Sequence, residues 1–100
     1  MRAAKVDANQ PAVVKWLRDL GFMVEHTHRQ GEAFPDLVIG MLGFNVLVEI
    51  KPPGVKLKPN QLEWHTSWPG WVVVIRTKED CEKLAHLVRE EHAIKLRGMA

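Results

Sequence analysis

Three charged residues stand at the ends of two short apolar segments, where charge is unusual and therefore informative. Asp36 opens the first segment, and Glu49 and Lys51 close the second, which begins at Phe44. Side chains two positions apart in a strand point to the same face, so Glu49 and Lys51 share one face. If the two segments pair as an antiparallel hairpin, Asp36 comes to lie beside the 47–49 end of its partner. Two carboxylates and an ammonium group then converge at one end of a sheet.

This combination of groups suits a divalent-cation site. Carboxylate oxygens are hard ligands, and two of them leave room for the water molecules and substrate phosphate that Mg²⁺ or Mn²⁺ keeps. A lysine beside such an ion can orient or deprotonate water and stabilise negative charge on a phosphate. The alternative is a surface salt bridge of Lys51 with Glu49 or Asp36, which contributes little stability. The spacing alone leaves both interpretations open.

Basic residues flank these positions and favour a polyanionic partner. Arg29 and His28 lie in the polar loop before the first segment, and Lys56 and Lys58 lie in the connection after the second. Such a rim would bind phosphates through charge, with affinity that depends on salt and not on base sequence. An ordinary solvated loop is the alternative. We expect DNA contacts from Arg29, Lys56 and Lys58.

Histidines and tryptophans give weaker signals. His26 and His28 share a face if their segment is extended, but the spacing supplies no third zinc ligand, so structural roles are favoured. Trp64, Trp68 and Trp71 occur within eight residues. They could stack on unpaired bases. Core packing or a subunit contact is the favoured interpretation, because aromatic side chains dominate the energetics of both.

Periodic patterns predict the elements that would position these residues. Residues 9–20 have helical spacing, with Asn9 as the N-cap and Gly21 as the C-cap. Strands are predicted over residues 22–26, 36–39 and 44–51, with a turn at 41–43. A helix from Pro59 to about residue 68 would place Gln61 and His65 one turn apart on the same stripe. A supporting role for His65 near the site is then one option.

The remaining residues predict one more strand and one more helix. Residues 71–75 form a nearly continuous apolar run, the kind of strand that is buried on both faces of a sheet. Thr77 would cap a last helix, and residues 97–100 would fray. The apolar face of this helix would carry Cys81, Leu84, Ala85, Leu87 and Val88. The sequence therefore predicts a single α/β domain over residues 1–100, a mixed sheet flanked by helices in the order α-β-β-β-α-β-α.

Composition limits the class of protein. The chain has 100 residues, with 14 Lys and Arg against 12 Asp and Glu, so a polybasic histone-like protein is excluded. Nucleic-acid binding is not excluded, because it depends on where the charges lie. The single Cys81 rules out an internal disulfide or a cysteine zinc site. Without an apolar leader or a span-length apolar run, we expect a reduced cytoplasmic protein of a bacterium or a phage-infected cell.

The charged residues also resemble a known nuclease signature. Pro35-Asp36, followed thirteen residues later by Glu49-Ile50-Lys51, resembles the PD-(D/E)xK motif. The longer runs 31–40, 47–51 and 57–61 are similar to the VRR-NUC branch, the small virus-type replication and repair nucleases. The resemblance extends from about residue 6 to residue 87. It implies a restriction-endonuclease-like core.

The resemblance assigns roles to individual positions. Asp36 and Glu49 would bind the metal together with the backbone carbonyl of Ile50, and Lys51 would be the catalytic lysine. Gln61 matches the glutamine that follows the core motif on a helix and supports the active site.

Two further positions bear on the match. Asp7 matches the acidic residue on the first helix of the family, although many relatives have the longer Glu there. Relatives often have a second glycine in the loop before Pro35, where this chain has Glu32-Ala33. That departure concerns the shape of the loop, and therefore the fit of the substrate, more than the chemistry.

The resemblance implies an Mg²⁺- or Mn²⁺-dependent DNA endonuclease that acts on branched DNA such as Holliday junctions. A homodimer would supply two active sites, because one small nuclease domain reaches one strand at a time. No small-molecule cofactor and no membrane partner are expected. The alternatives are a nuclease that cuts flaps, ends or duplex, a non-catalytic DNA-binding module with the same fold, and an α/β protein without nuclease function.

Overall fold

The computed structural model describes residues 9–27, 31 and 33–99. The elements follow one another as α1 (Gln10–Asp19), β1 (Met23–His26), β2 (Leu37–Met41), β3 (Phe44–Ile50), α2 (Pro59–Ser67), β4 (Val72–Ile75) and α3 (Lys78–Gly98). This is the predicted order, and the α/β class is confirmed. The four strands form one mixed sheet in the order β1-β2-β3-β4.

The hairpin between β2 and β3 closes through a two-residue turn. Met41 pairs with Phe44, so the turn consists of Leu42 and Gly43 alone. Both have positive φ, 55° and 85°, the pattern of a type I′ turn that matches the twist of the strands. Leucine is unfavourable in that conformation, so the turn is made despite its first residue. The predicted turn at 41–43 is one residue too long, because Met41 belongs to β2.

The β3 strand shows the predicted alternation. Val46, Val48 and Ile50 lie in the hydrophobic core. The opposite face is also buried where the strand ends, at Glu49 and in the adjoining Lys51. The parallel pairing of β3 with β4 requires a crossover connection, and α2 belongs to it.

The prediction that residues 71–75 are buried on both faces is wrong. Among the described strands, β4 is at the edge of the sheet and pairs with β3 alone. Ile75 is buried, whereas the three valines before it are half-buried. An apolar run indicates a strand, but its place in the sheet is fixed by partners that the run does not encode.

The first helix ends as predicted and begins directly after Asn9, the predicted N-cap position, but without the expected side-chain cap. Gly21 has φ 104°, and the N–H groups of Gly21 and Phe22 donate to the carbonyls of Arg18 and Leu17, a Schellman motif. Leu17 and Phe22 both lie in the core. The side chain of Asn9 does not cap α1, contrary to the prediction; its amide donates to the carbonyl of Arg76, 3.3 Å away.

The last helix has the predicted cap. Thr77 Oγ1 accepts a hydrogen bond from the Asp80 N–H, and Asp80 Oδ2 accepts one from the Thr77 N–H, both at 3.1 Å. This reciprocal pair is a capping box. Of the predicted apolar face, Leu87 alone is exposed, at 47%. The helix continues to Gly98, so the predicted frayed tail at 97–98 is also wrong.

The buried core lies between the sheet and the outer helices. Its members come from α1, from the strands and from the first half of α3: Val13, Val14, Leu17, Phe22, Val24, Leu37, Ile39, Val46, Val48, Ile50, Ile75, Cys81, Leu84, Ala85 and Val88. Within the described ranges, no helix is long and apolar enough to cross a membrane.

Candidate metal centre

The hairpin register brings the two predicted carboxylates together. Leu37 pairs with Val48, so Asp36 lies one position beyond the last pair, next to Glu49. Asp36 Oδ2 accepts a hydrogen bond of 2.7 Å from the Ile50 N–H, which fixes this side chain against the end of β3. The Asp36 carboxyl group is also close enough to Glu49 to raise the pKa of that residue. The convergence predicted from a period of two and a short turn is therefore present.

Glu49 is in an environment that opposes its charge. The residue is 3% exposed. Burial first, and then the charge and the hydrogen bond of Asp36, raise the pKa of Glu49 to about 8, although Lys51 and Lys58 act in the opposite direction. Its Oε1 is buried, and no hydrogen-bond donor among the described residues reaches it. A bound cation would neutralise this carboxylate and give that oxygen a partner.

The donor set fits a hard divalent cation. Mg²⁺ is typically held by one or two carboxylates and keeps several waters. The Ile50 N–H points toward Asp36, and the carbonyl of the same strand residue points to the same side. The next N–H, that of Lys51, donates instead to the Ile75 carbonyl of β4 at 3.1 Å. Asp36 and the Ile50 carbonyl are thus on the same side of β3, next to Glu49.

A site with three or more protein side-chain ligands is not found in the described part of the chain. There, no group of three His, Cys, Asp or Glu side chains is arranged to hold a metal ion. Asp7, the further acidic residue implied by the family resemblance, lies outside the described residues. The candidate side-chain ligands within them are therefore the two carboxylates.

Lys51 lies beside these carboxylates without forming a salt bridge to them. It is 9% exposed, and its charge lowers the pKa of Glu49. Among the described residues, the ion pairs within 4.0 Å are Lys15–Asp19 and His86–Glu90. The alternative of an ordinary surface pair with Asp36 or Glu49 therefore does not describe Lys51. A buried ammonium near the carboxylates, but not bound to them, is able to contact a third group.

The α2 helix completes the surroundings of the site. Gln61 is buried, and its Oε1 accepts a hydrogen bond of 2.9 Å from the Lys58 N–H, which fixes the start of the helix. One turn later, burial and the nearby charge of Lys51 lower the pKa of His65. His65 Nε2 is buried, with no hydrogen-bond partner among the described residues. The structure thus places the helix of Gln61 over the charged end of β3; the contact that it records for the Gln61 side chain is the one with Lys58.

Arg76 is a supporting residue that sequence reasoning missed. Its guanidinium donates to the carbonyl of Pro52 at 2.9 Å and to that of Val55. Its own N–H donates to Asp80 Oδ2 at 2.8 Å. Arg76 therefore ties the loop after Lys51 to the junction of β4 and α3. The available signal was an arginine directly after an apolar strand, but its partners are more than twenty residues away in the chain.

The predicted DNA-contacting residues are only partly described. Lys56 and Lys58 are exposed in the connection between β3 and α2. Arg29 and His28 lie outside the described residues. His26 is exposed, and its Nδ1 is 3.2 Å from Gln10 Nε2. Lys58 is close enough to Glu49 for its charge to lower the pKa of that carboxyl group. The DNA contact of Arg29 stays a prediction.

The three clustered tryptophans separate into two environments. Trp71 stacks on Phe44 with ring centroids 5.7 Å apart, and both pack against the hydrophobic core. Trp64 and Trp68 stack on each other instead and are not among the residues of the core or those packed against it. Core packing is therefore the correct interpretation for Trp71 and the wrong one for Trp64 and Trp68.

Comparison of the sequence with protein-family models and with curated proteins gives no match. The resemblance to the VRR-NUC family therefore rests on the motif residues themselves.

Proposed function

We propose that this protein is an Mg²⁺- or Mn²⁺-dependent deoxyribonuclease with the PD-(D/E)xK core of the VRR-NUC family. One observation carries the proposal. Asp36 and Glu49 lie side by side where the β2–β3 hairpin ends, Glu49 has a buried oxygen without a hydrogen-bond partner among the described residues, and Lys51 lies beside them without a salt bridge. The same three residues form the motif from which the sequence resemblance starts.

Asp36, Glu49 and the Ile50 carbonyl would hold the ion, with Asp7 as a further proposed ligand. A divalent ion bound there would lower the pKa of a water molecule and neutralise charge on the scissile phosphate. The hydrogen bond from the Ile50 N–H keeps Asp36 in position whether or not an ion is present. The unfavourable charge of Glu49 in the metal-free protein supports this assignment, because a cation relieves it.

Lys51 has the second role in the reaction. Its ammonium donates hydrogen bonds to the attacking water and to a phosphoryl oxygen, which orients the water for in-line attack and stabilises the added negative charge. The water oxygen bonds to phosphorus as the bond to the leaving oxygen breaks. The proton lost by the attacking water passes to the solvent, and the leaving oxygen takes up a proton from the solvent. Gln61 fixes the start of α2 and so supports the arrangement around Lys51.

Branched DNA is the proposed substrate, and a homodimer is the proposed working form. Both rest on the family resemblance. Lys56 and Lys58 are exposed, and the charge of Lys58 lowers the pKa of Glu49; both would contact phosphates of a DNA strand.

The experiment compares labelled DNA substrates in Mg²⁺, in Mn²⁺ and in EDTA. A four-way junction, a flap, a splayed arm and a duplex are incubated with the wild-type protein and with Lys51→Ala. Lys83→Ala, an exposed lysine on α3, is the matched control. We expect metal-dependent cuts, most rapid on the junction, for the wild type and the control, and none for Lys51→Ala although it still binds DNA. Undiminished cleavage by Lys51→Ala contradicts the proposed mechanism.

A further inference from the structure

Three aromatic rings form a continuous stack beside the candidate metal centre. Trp64 and Trp68 lie nearly parallel, with an interplanar angle of 14° and centroids 4.9 Å apart. The ring of Phe34 meets Trp64 edge-on, with centroids 5.1 Å apart. We call Phe34, Trp64 and Trp68 the aromatic stack. Trp64 occupies its middle and Trp68 is one of its ends.

Core formation does not account for the aromatic stack. None of its three members belongs to the hydrophobic core or packs against it. Trp68 is 40% exposed, so a large part of this apolar residue is open to solvent. The stack therefore presents an exposed aromatic end to whatever approaches the protein there.

The backbone at Gly70 makes room for Trp68. A Cβ atom at this position would lie 2.9 Å from Trp68 Nε1 and 3.5 Å from Trp68 Cε2, so a side chain there would push the indole away. The absence of a side chain at Gly70 lets the exposed ring lie against the chain between α2 and β4. Stacking on Trp64 restricts the orientation of the ring before a ligand arrives, which reduces the entropy lost on binding.

The aromatic stack adjoins the proposed cleavage site from two directions along the chain. Phe34 is two residues before Asp36. Trp64 precedes His65, the residue whose pKa is lowered partly by Lys51. At the other end of α2, the charge of Lys58 lowers the pKa of Glu49. A strand with a phosphate at the carboxylates would thus pass a flat aromatic surface within the length of α2, about 14 Å.

We propose that the aromatic stack binds an unpaired nucleobase of the DNA substrate, which stacks on Trp68. This rests on the proposed nuclease function and adds to it an unpaired nucleotide near the cut, such as a base that opens at the branch point of a junction or flap. A base within a duplex is already stacked on both neighbours, whereas an unpaired base has a free π-face that an indole can cover. Every base has such a face, so the contact selects structure and not sequence.

The charges near the aromatic stack favour nucleic acid over a second copy of the chain. Lys56 and Lys58 are exposed on the connection that leads into α2. A twofold contact centred on α2 would bring the lysines of both copies toward each other, which is unfavourable. DNA phosphates would instead neutralise them. The stacked rings and the lysines together supply the two components of single-strand binding, a π-surface and positive charge.

The test measures DNA binding without catalysis. Fluorescence anisotropy in EDTA gives the affinity of the full chain for a labelled single strand of about 15 nucleotides and for a duplex of the same length. We expect Trp68→Ala to weaken single-strand binding about tenfold and to leave duplex binding within about twofold. Trp68→Phe should retain most of the affinity, because a smaller ring still stacks.

One further variant tests the position of the indole, and another controls for a general loss of apolar surface. Gly70→Ala keeps the indole but displaces it, so it should also weaken single-strand binding selectively. Leu62→Ala removes an exposed apolar side chain, 57% accessible, from the same helix and should change neither affinity. Circular dichroism and thermal melting establish that each variant is folded.

Several results would overturn the proposal. One is an unchanged single-strand affinity in Trp68→Ala, and another is an equal loss of affinity for the single strand and the duplex. A third is a dimeric wild type that becomes monomeric in Trp68→Ala, which would identify the aromatic stack as a subunit contact. If the wild type cleaves DNA while Trp68→Ala binds single strands normally, the stacking proposal alone fails. If the wild type neither binds nor cleaves any DNA, the nuclease proposal fails with it.

Discussion

Replacing Glu49 with glutamine should abolish most of the loss of stability that the metal-free wild type undergoes between about pH 5 and pH 8. The native pKa of Glu49 is raised to about 8, against an ordinary value of 4.5. Below 4.5 both the folded and the unfolded chain hold the proton. Between the two values the folded chain keeps it while the unfolded chain releases it, so the free energy of unfolding falls as the pH rises. Above about 8 both have lost it and the decrease ends.

The size of the effect follows from the same pair of values. At about 1.4 kcal/mol for each pKa unit, the gap between 4.5 and about 8 corresponds to an upper limit of about 5 kcal/mol. Glutamine has nearly the same shape and no charge to bury. The wild type and Glu49→Gln should therefore have similar free energies of unfolding near pH 5 and should diverge by several kcal/mol near pH 8.

Urea unfolding in EDTA, followed by circular dichroism at several pH values, measures this difference. Glu63→Gln is the matched control, because Glu63 is exposed and should leave the pH dependence of the wild type intact. Parallel pH profiles for the wild type and Glu49→Gln would refute the reasoning, since they would mean that burial and Asp36 do not impede ionisation of this carboxyl.

Three further predictions concern the metal, the loop and the turn. Mg²⁺ or Mn²⁺ should raise the melting temperature of the wild type near pH 8 but not that of Glu49→Gln, because an ion that binds only the folded protein stabilises the folded protein. Equal increases in melting temperature for both proteins would argue against Glu49 as a ligand. Arg76→Ala removes the charged hydrogen bonds to two loop carbonyls, so it should speed amide exchange in the 52–58 loop and lower the free energy of unfolding in urea by about 1–3 kcal/mol. Unaltered exchange would show that Arg76 does not hold this loop in place. Leu42→Asn should stabilise the protein by about 0.5–1 kcal/mol, because asparagine tolerates the left-handed conformation at the first turn position; a lower urea midpoint would contradict this.

The local order of elements and the carboxylate pair were both predictable from the sequence. Alternation in residues 44–50 and the nearby Gly43 specify a hairpin, and a hairpin of that length places Asp36 beside Glu49. The Thr77 cap and the Gly21 stop are likewise local features, since each depends on residues within one helical turn. These are the cases in which backbone geometry is determined by neighbours in the chain.

The remainder depends on contacts between distant residues. The edge position of β4 follows from the strand order, which no property of Val72–Ile75 encodes. Asn9 bonds to Arg76, 67 residues away, instead of capping its own helix. Trp71 packs against the hydrophobic core, whereas Trp64 and Trp68 do not, and this difference likewise depends on contacts between distant residues. Burial of Lys51 without a salt bridge needed the packed structure, because the spacing left both interpretations open.

The most direct test of the central claim is the rate of DNA cleavage as Mn²⁺ is titrated into the metal-free protein. The comparison is between the wild type, Asp36→Asn and Lys83→Ala. Asparagine can still accept the hydrogen bond from the Ile50 N–H, so Asp36→Asn removes a charged ligand while keeping the local structure. The account predicts saturable, EDTA-reversible cleavage by the wild type and Lys83→Ala and none by Asp36→Asn. Cleavage that needs no metal, or that Asp36→Asn performs at the wild-type rate, would contradict it.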